Sequence, residues 1–414
     1  MSMNSRERVL AALNHRQSDR MPVDFGGHRS SGIMAIAYAR LKRALDITSG
    51  DIYVYDMIQQ LAIVEPPVLE ALGVDVIELG RGFLQRESDW KPWTLPDGTP
   101  CKIPSYLDVE RRGNEWRLLA YDGTVLGAQR EGCLYFEQTY FPLMERDIRD
   151  ADFGGLEEQL RHVIWSAIAA PAAHLALDEA GLAQLAQGAK ALRASTDRAI
   201  VGLFGGSLFE LSEFLYRMDI HLTNMGLYPE AVHRLSEELC RIHLRNLERW
   251  LGAVGPYIDV VLFSDDLGGQ SGPLLSPRMY REYYKPYHAR MWRRAKELAN
   301  VKVMLHCCGG VEPLLEDLID AGLDAINPVQ INSRGMETTA LKARYGDRLV
   351  LWGGGCDTRE VLPYASPVAV SDHVHHQVRA LHPGGGFVFQ QVHNIMADVP
   401  PENIIAMFEA VHSA

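Results

Sequence analysis

His306 and Cys308 stand two residues apart where the apolar run Val303-Met304-Leu305 ends and Gly309-Gly310 begins. Successive side chains of a strand point to opposite faces, so this imidazole and this thiol share one face and Cys307 takes the other. One histidine and one cysteine presented together at the exit of a buried strand form half of a tetrahedral zinc site. Two donors hold zinc poorly. A third is expected from His393, close to the end of a later apolar run, or from Cys356, in a glycine-rich loop where the backbone can bend inward. An oxygen of Asp266 or Asp265, or water, would complete the sphere. The plain alternative is a buried thiol beside a satisfied core histidine.

A second constellation is Asp265-Asp266, followed by Leu267-Gly268-Gly269-Gln270. Adjacent carboxylates at a strand exit must diverge, so one faces any cavity there. That one is a candidate for acid/base catalysis, for substrate contact or for orienting a ligand histidine; the plain alternative is a pair that caps the next helix or meets solvent. Further polar residues at the ends of apolar runs are candidates for substrate binding: His28, Glu78, Gln270, Asn327 and Gln330. The glycine runs at 205–206, 268–269 and 353–355 carry no Walker or dinucleotide fingerprint and read as tight turns.

These residues follow short, continuously apolar segments, the pattern of strands buried on both faces. The segments are Pro22 to Phe25, Asp75 to Leu79, Ile200 to Phe204, Val260 to Phe263, Val301 to Leu305, Ala325 to Pro328, Leu349 to Trp352 and Phe387 to Phe389. Helical periodicity lies between most of them, as in Pro277 to Leu298, Val311 to Ala321, Thr338 to Tyr345 and Pro367 to Leu381. Eight βα units predict a TIM (β/α)8 barrel across residues 1–414, with its active site at the C-terminal strand ends. A doubly wound open sheet is the runner-up. Residues 85–142 are rich in aromatics and turns and include a hairpin pattern around Asp122-Gly123, which predicts an antiparallel β insertion after the second barrel strand. Residues 156–196 are alanine-rich and predict a helical cover, read as two helices.

A formal charge of −12 argues against nucleic-acid or anionic-membrane partners. Met1 to Arg20 is charged throughout and offers no apolar leader, and no run reaches the length of a membrane span. The six cysteines are few and irregularly spaced, which favours free or metal-bound thiols in a reducing, cytoplasmic compartment over a disulfide frame.

The residues also carry a resemblance. Ser5-Arg6-Glu7-Arg8-Val9-Leu10-Ala11-Ala12-Leu13 with Asp19-Arg20-Met21-Pro22-Val23 resembles the N-terminal signature of the uroporphyrinogen decarboxylase superfamily. His306-Cys307-Cys308-Gly309 resembles the His-x-Cys zinc motif of its corrinoid-linked methylcobamide:thiol methyltransferases, and Pro400-Pro401-Glu402-Asn403-Ile404 resembles the segment after the last barrel strand. The resemblance implies a zinc-bearing barrel that moves a methyl group between a small methylated substrate or thiol and a methylcobamide carried by a partner corrinoid protein. It sets His393 where that branch has a cysteine ligand. The decarboxylase's arginine-rich motif is absent, since the corresponding region reads Asp24-Phe25-Gly26-Gly27-His28-Arg29. Decarboxylation of a tetrapyrrole or other carboxylic acid is the alternative activity, and a non-catalytic binding barrel is a third reading. A homodimer is one expectation for the assembly.

Overall fold

The computed structural model describes residues 2–165 and 175–414. Its centre is a parallel sheet whose strands run in sequence order. We label the barrel strands β1 to β8, with β1 at residues 22–25. Then come β2 (Val76–Glu78), β3 (Ala199–Gly205), β4 (Val260–Ser264), β5 (Lys302–His306), β6 (Ala325–Asn327), β7 (Val350–Trp352) and β8 (Phe387–Val388). β2 to β8 form one seven-stranded sheet. The segment β1 closes it. Val23 bridges Phe389 in parallel, Asp24 N–H donates to the Phe389 carbonyl (2.8 Å), Phe389 N–H donates to the Pro22 carbonyl (2.9 Å), and Asp75 N–H donates to the Val23 carbonyl (2.8 Å). First and last strands therefore meet, and the sheet is a barrel rather than the open doubly wound alternative.

The barrel floor is filled by a helix. α1 (Ser5–Leu13) starts in a capping box between Asn4 and Glu7 and turns Val9, Ala12 and Leu13 into a buried cluster. Their partners are inward-facing residues of the strands, among them Val76, Val201, Leu262, Met304, Val350 and Val388. Each such aliphatic side chain contributes roughly 1.5–3 kcal/mol on burial. The polar half of α1 is bolted down by charge: Arg6 pairs with Asp259 (2.7 Å), and Arg8 pairs with Asp19 (2.7 Å) and Asp75 (2.8 Å).

The inner face of each strand follows the two-residue period. On β5, Met304 lies in the floor cluster and His306 comes one inward step higher, whereas Val303 and Leu305 pack outward against the helices. On β4, β5 and β6 the same period leads from the apolar floor to Ser264, His306 and Asn327 at the mouth.

Between β2 and β3 the chain departs from plain βα alternation. Trp90–Thr94 pairs with Pro100–Pro104, and Asp108–Arg112, Glu115–Leu119, Val125–Arg130 and Glu137–Gln138 form a four-stranded antiparallel sheet. Gly123 (φ +84°) makes the turn of the expected hairpin. This insertion braces the helix Phe209–Tyr216 that follows β3. Gln138 Nε2 donates to the Phe214 carbonyl (2.8 Å), and Leu143 N–H donates to the Leu215 carbonyl (2.9 Å). Of the expected helical cover, Leu156–Leu160 and Glu179–Ser195 are helical, and 166–174 lie outside the described residues. The segment expected as one helix over Pro277 to Leu298 is two, Pro277–Tyr283 and Lys285–Leu298. The break at Tyr284 precedes Pro286, which cannot supply an N–H to a continuous helix. All six cysteines are free, and no helix among the described residues is long and apolar enough to cross a membrane.

Asp75 joins the closure to the plug. It is fully buried and accepts from Arg8 Nη1 (2.8 Å), from Arg20 Nη1 (2.7 Å) and Nη2 (2.8 Å), and from the Val23 N–H (3.0 Å). Removing one member of such a buried charge network costs about 3–5 kcal/mol. Asp75→Ala is therefore expected to lower unfolding stability by that order in a urea titration, with a smaller loss in Asp75→Asn; an unchanged midpoint in both variants would show that the network does not close the barrel.

Candidate metal centre

Three side chains meet at the barrel mouth. The ligand atoms of His306, Cys308 and His393 all lie within 4.8 Å of one another. His306 Nε2 is 3.4 Å from Cys308 Sγ, and the two imidazole centroids are 5.8 Å apart. Zinc bonds of about 2.1 Å to nitrogen and 2.3 Å to sulfur at a tetrahedral angle separate the two donors by ~3.6 Å, so the His306–Cys308 spacing fits the ion. Cys308 reaches this position because Gly309 turns the chain at φ +87°; a Cβ there would meet the Gly268 backbone at 2.3 Å. Cys307 faces away, where its sulfur accepts the Leu267 N–H (3.2 Å).

A buried polar chain fixes the tautomer of His306. Its Nδ1 lies 3.0 Å from Asn327 Oδ1, an atom that can only accept, so Nδ1 carries the proton and Nε2 keeps its lone pair toward the thiol. Asn327 is held in turn by Ser30 Oγ donating to Oδ1 (2.8 Å) and by its own amide donating to Gln390 Oε1 (2.7 Å) and the Trp352 carbonyl (3.1 Å). Ser30 Oγ also meets His28 Nδ1 (2.9 Å), and His28 Nε2 lies 3.2 Å from Asp24 Oδ2, which accepts from Trp352 Nε1 (2.8 Å). Asn327, expected to bind substrate, lies instead behind His306, in the place that outer partners of metal-binding histidines take.

The electrostatics suit a cation. Burial lowers the pKa of His306, and burial with the neighbouring His306 and His28 takes His393 down to about 3, so both imidazoles are neutral donors. Burial, with Asp266 and Cys307 nearby, pushes the Cys308 thiol well up. A bound divalent ion would reverse that last effect, because coordination deprotonates a thiol outright.

The trio opens into a cavity of about 680 Å³, which His28, Asp266 and Glu210 also line. The two adjacent aspartates part as strand alternation requires. Asp266 faces inward and accepts the Cys308 N–H (2.7 Å), with Oδ1 3.9 Å from His306 Nε2. Asp265 points outward and is fully buried. It accepts from the Leu208, Phe209 and Glu210 N–H groups (3.2, 3.1 and 2.7 Å) and lies 3.0 Å from His288 Nε2. Asp265, expected alongside Asp266 as a catalytic candidate, caps the start of the Phe209–Tyr216 helix and is not among the residues lining the cavity.

Other expectations change as well. Cys356 is fully buried and lies outside the trio, its sulfur 3.9 Å from the Asp357 carbonyl. The loop after β7 turns its thiol into packing, and the third donor brought to the pair is His393. Glu78 is buried among Gly26, Tyr55 and Arg81 in a separate small pocket, its pKa raised by burial. Gln270 is exposed on the Gly268–Pro273 turn, with its carbonyl accepting the Arg334 N–H (3.0 Å). Gln330 Oε1 accepts the Gly309 N–H (2.7 Å), which steadies the turn after Cys308 rather than a ligand. Sequence reasoning missed Glu210, which sits in the first turn of the Phe209–Tyr216 helix, where no spacing marks it. Burial and the charges of Asp266 and Asp265 raise its pKa well above the carboxylate range. It also missed Ser30 and Asp24, whose roles depend on closure at β1.

Residues 167–414 match the family model described as Uroporphyrinogen decarboxylase (URO-D). This chain belongs to the uroporphyrinogen decarboxylase family. Two proteins named uroporphyrinogen decarboxylase, from Psychromonas ingrahamii and Chromohalobacter salexigens, are 30% and 31% identical over 191 residues, which is 44% of this chain. The chain aligns with about half the length of those relatives, 49% in each case. Among solved structures, a methyltransferase from Methanosarcina mazei superposes with a TM-score of 0.59 at 14% identity, covering 100% of this chain and 99% of the other, which supports the barrel fold.

Two outcomes follow from the acid cluster behind the cavity. Asp265→Ala strands three backbone N–H groups and His288, so an unfolding titration should show a loss of about 3 kcal/mol. Glu213, buried beside Asp265 and Asp266, has its pKa raised to about 8. The folded state therefore holds this proton more tightly than the unfolded chain. Stability is greatest with the proton on, below the ordinary glutamate range, and is lost as pH rises toward 8. Glu213→Gln should gain melting temperature over the natural chain progressively from pH 5, levelling off above about pH 8; a gap independent of pH would refute the shift.

Proposed function

We propose that this member of the family is a zinc-dependent methyltransferase that moves a methyl group between a small methylated substrate or thiol and the corrinoid of a partner protein. The observation that carries the reading is the convergence of His306, Cys308 and His393 on one point of the cavity wall. Three protein donors is the ligand count of catalytic zinc, whereas structural sites use four. Bound there, zinc would act as a Lewis acid on the heteroatom that gains or loses the methyl group. The chain's own part is to keep a lone pair on His306 Nε2 through Asn327, to hold Cys308 by its N–H to Asp266, and to surround the reacting atoms with apolar side chains such as Phe204, Leu211 and Phe214.

In the demethylating direction, the carbon–heteroatom bond of the substrate breaks with its electron pair left on the heteroatom. The methyl carbon gains a bond built from the electron pair of the partner's cobalt(I), and the heteroatom takes a proton from solvent. In the thiol-methylating direction the thiol loses its proton to solvent and its sulfur bonds the methyl carbon, which the partner's corrinoid would supply while keeping the electron pair of the bond it gives up.

The names of the sequence relatives favour a second reading, decarboxylation of a tetrapyrrole. A substrate with several carboxylates needs several free cations. The described residues lining the cavity include two arginines: Arg161, paired with Glu158 (3.2 Å), and Arg29, which lies 3.6 Å from Asp56 and keeps Nε and Nη2 without a hydrogen-bond partner. A metal trio beside the acids Asp266 and Glu210 is a poor seat for an oligocarboxylate, which favours methyl transfer.

Metal analysis of the purified chain is expected to give about one zinc per chain, lost in His306→Ala, Cys308→Ala and His393→Ala and retained in Cys356→Ala. Methylcobalamin with a thiol acceptor should show enzyme-dependent demethylation in the visible spectrum, abolished in the same three variants. A metal-free chain that binds a porphyrinogen carboxylate would sink the methyltransferase reading and restore the decarboxylase.

A further inference from the structure

The three donors at the mouth are not held alike. His306 Nδ1 meets Asn327 Oδ1 (3.0 Å), and Cys308 is set by the turn at Gly309 and by its own N–H to Asp266 (2.7 Å). Among the described residues, nothing hydrogen-bonds to the His393 ring, which faces His306 with centroids 5.8 Å apart. An imidazole without an outer partner is only as well placed as the backbone that carries it.

That backbone crosses the mouth between two anchors. On one side Gln391 bridges Cys356 in parallel, and Val392 N–H donates to the Cys356 carbonyl (2.8 Å). On the other Ile395 bridges Ile33 in parallel, and its N–H donates to the Gly32 carbonyl (3.0 Å). Between the anchors, next to His393, stands the buried Asn394. Its Oδ1 accepts the Gly32 N–H (2.8 Å), and its Nδ2 donates to Gln59 Oε1 (2.9 Å). Gln59 is fixed in turn by Asp56, which is fully buried. The Gln59 N–H donates to Asp56 Oδ1 (3.0 Å), and Gln59 Nε2 donates to Asp56 Oδ2 (3.4 Å).

The ends of this chain have fixed polarity. A carboxylate can only accept and a backbone N–H can only donate. Asp56 therefore sets the Gln59 amide with Nε2 toward it and Oε1 toward Asn394. The Gly32 N–H sets the Asn394 amide with Oδ1 toward it and Nδ2 toward Gln59. The two requirements meet at one Nδ2–Oε1 bond and agree. A chain of buried polar groups satisfied in a single sense holds its members in one geometry.

Resting on the metal-centre reading, we infer that Asn394 and Gln59 are positioning residues for His393. They are the counterpart of Asn327 behind His306, but they act on the peptide beside the ring and not on the ring itself. The two chains start from different elements, one on β6 and the other in the segment between β1 and β2.

The test reads the metal and not turnover. Zinc affinity of the full-length chain is measured by competition with a chromophoric chelator, and the cobalt(II) form is recorded in the visible. Asn394→Leu and Gln59→Leu should each weaken zinc by about tenfold or more. Both act through one donor, so the double variant should bind about as weakly as the weaker single variant, without multiplying the two losses. In the cobalt form, the ligand-field bands should lose the intensity of a tetrahedral ion while the sulfur-to-cobalt band from Cys308 persists. Asn403→Leu is the control. It removes another buried amide, one that donates to the Leu362 and Ala365 carbonyls (both 2.9 Å), and should leave zinc affinity unchanged. If Asn394→Leu does not fold, Gln59→Leu, whose side chain is half-buried, carries the same expectation. Unchanged zinc affinity and cobalt spectrum in the Asn394 and Gln59 variants, an equal loss in Asn403→Leu, or losses that multiply in the double variant would overturn the inference alone. A natural chain that takes no zinc would overturn the metal-centre reading beneath it.

Discussion

One buried carboxylate organises the lower half of this molecule. Asp75 takes two arginines and a backbone N–H at once, and those three donors come from the plug helix, the segment after it and β1. β1 is joined to its neighbours by only a few backbone hydrogen bonds and would not by itself be a stable strand. Its position is set by what Asp75 and α1 hold in place. Closure then fixes the loop that leaves β1 upward, which carries Asp24, His28 and Ser30. Through Ser30 and Asn327, that loop orients the histidine on β5. The floor and the mouth of the barrel are mechanically one system, although the ion pairs of the floor do no chemistry.

The mouth shows a division between groups that hold and groups that are available. Asn327, Gln390 and Ser30 bond to one another while Asp24 accepts from Trp352, and the result is one imidazole with its proton on Nδ1. Asp265 spends its oxygens on a helix start and on His288, whose ring stacks on Trp292 at 4.8 Å. Facing the cavity are the donor trio with Asp266 and Glu210, and Arg29 lies on the same wall. Carboxylates buried this close to one another are costly without a proton or a cation between them, as the raised pKa of Glu210 records. That cost is spread into the rigid elements behind the cavity, which is where the hydrogen bonds of Asp265 lie.

Much of this was legible from residue order. The eight apolar runs correspond to β1 to β8, and the hairpin at Asp122-Gly123 lies in an antiparallel insertion. The period of two was worth more than was drawn from it. On β4, Val260, Leu262 and Ser264 face inward, so continuing the same count past the strand end assigns Asp266 to the cavity and Asp265 to the helices. The period fails where the chain leaves the sheet. Glu78 is on the inward parity of β2 yet sits in its own pocket with Gly26, Tyr55 and Arg81, and Gln330 and Gln270 lie on turns with no strand period at all. Glu210 had no signature because its place depends on a helix start fixed by a residue 55 positions away.

By itself, the sequence determined the barrel, its insertion and the pairing of His306 with Cys308, because these depend on short-range periodicity and on burial of continuous apolar runs. Only the tertiary structure placed His393, and not Cys356, beside that pair. Both follow late strands at similar distances, and the choice turns on how two loops cross the barrel mouth, a matter of backbone path over many residues. The structure also gave the cavity its size and its largely apolar wall. Those properties arise where the cover segment, the helix after β3 and the barrel meet, and no single segment carries the signal of a space formed between several.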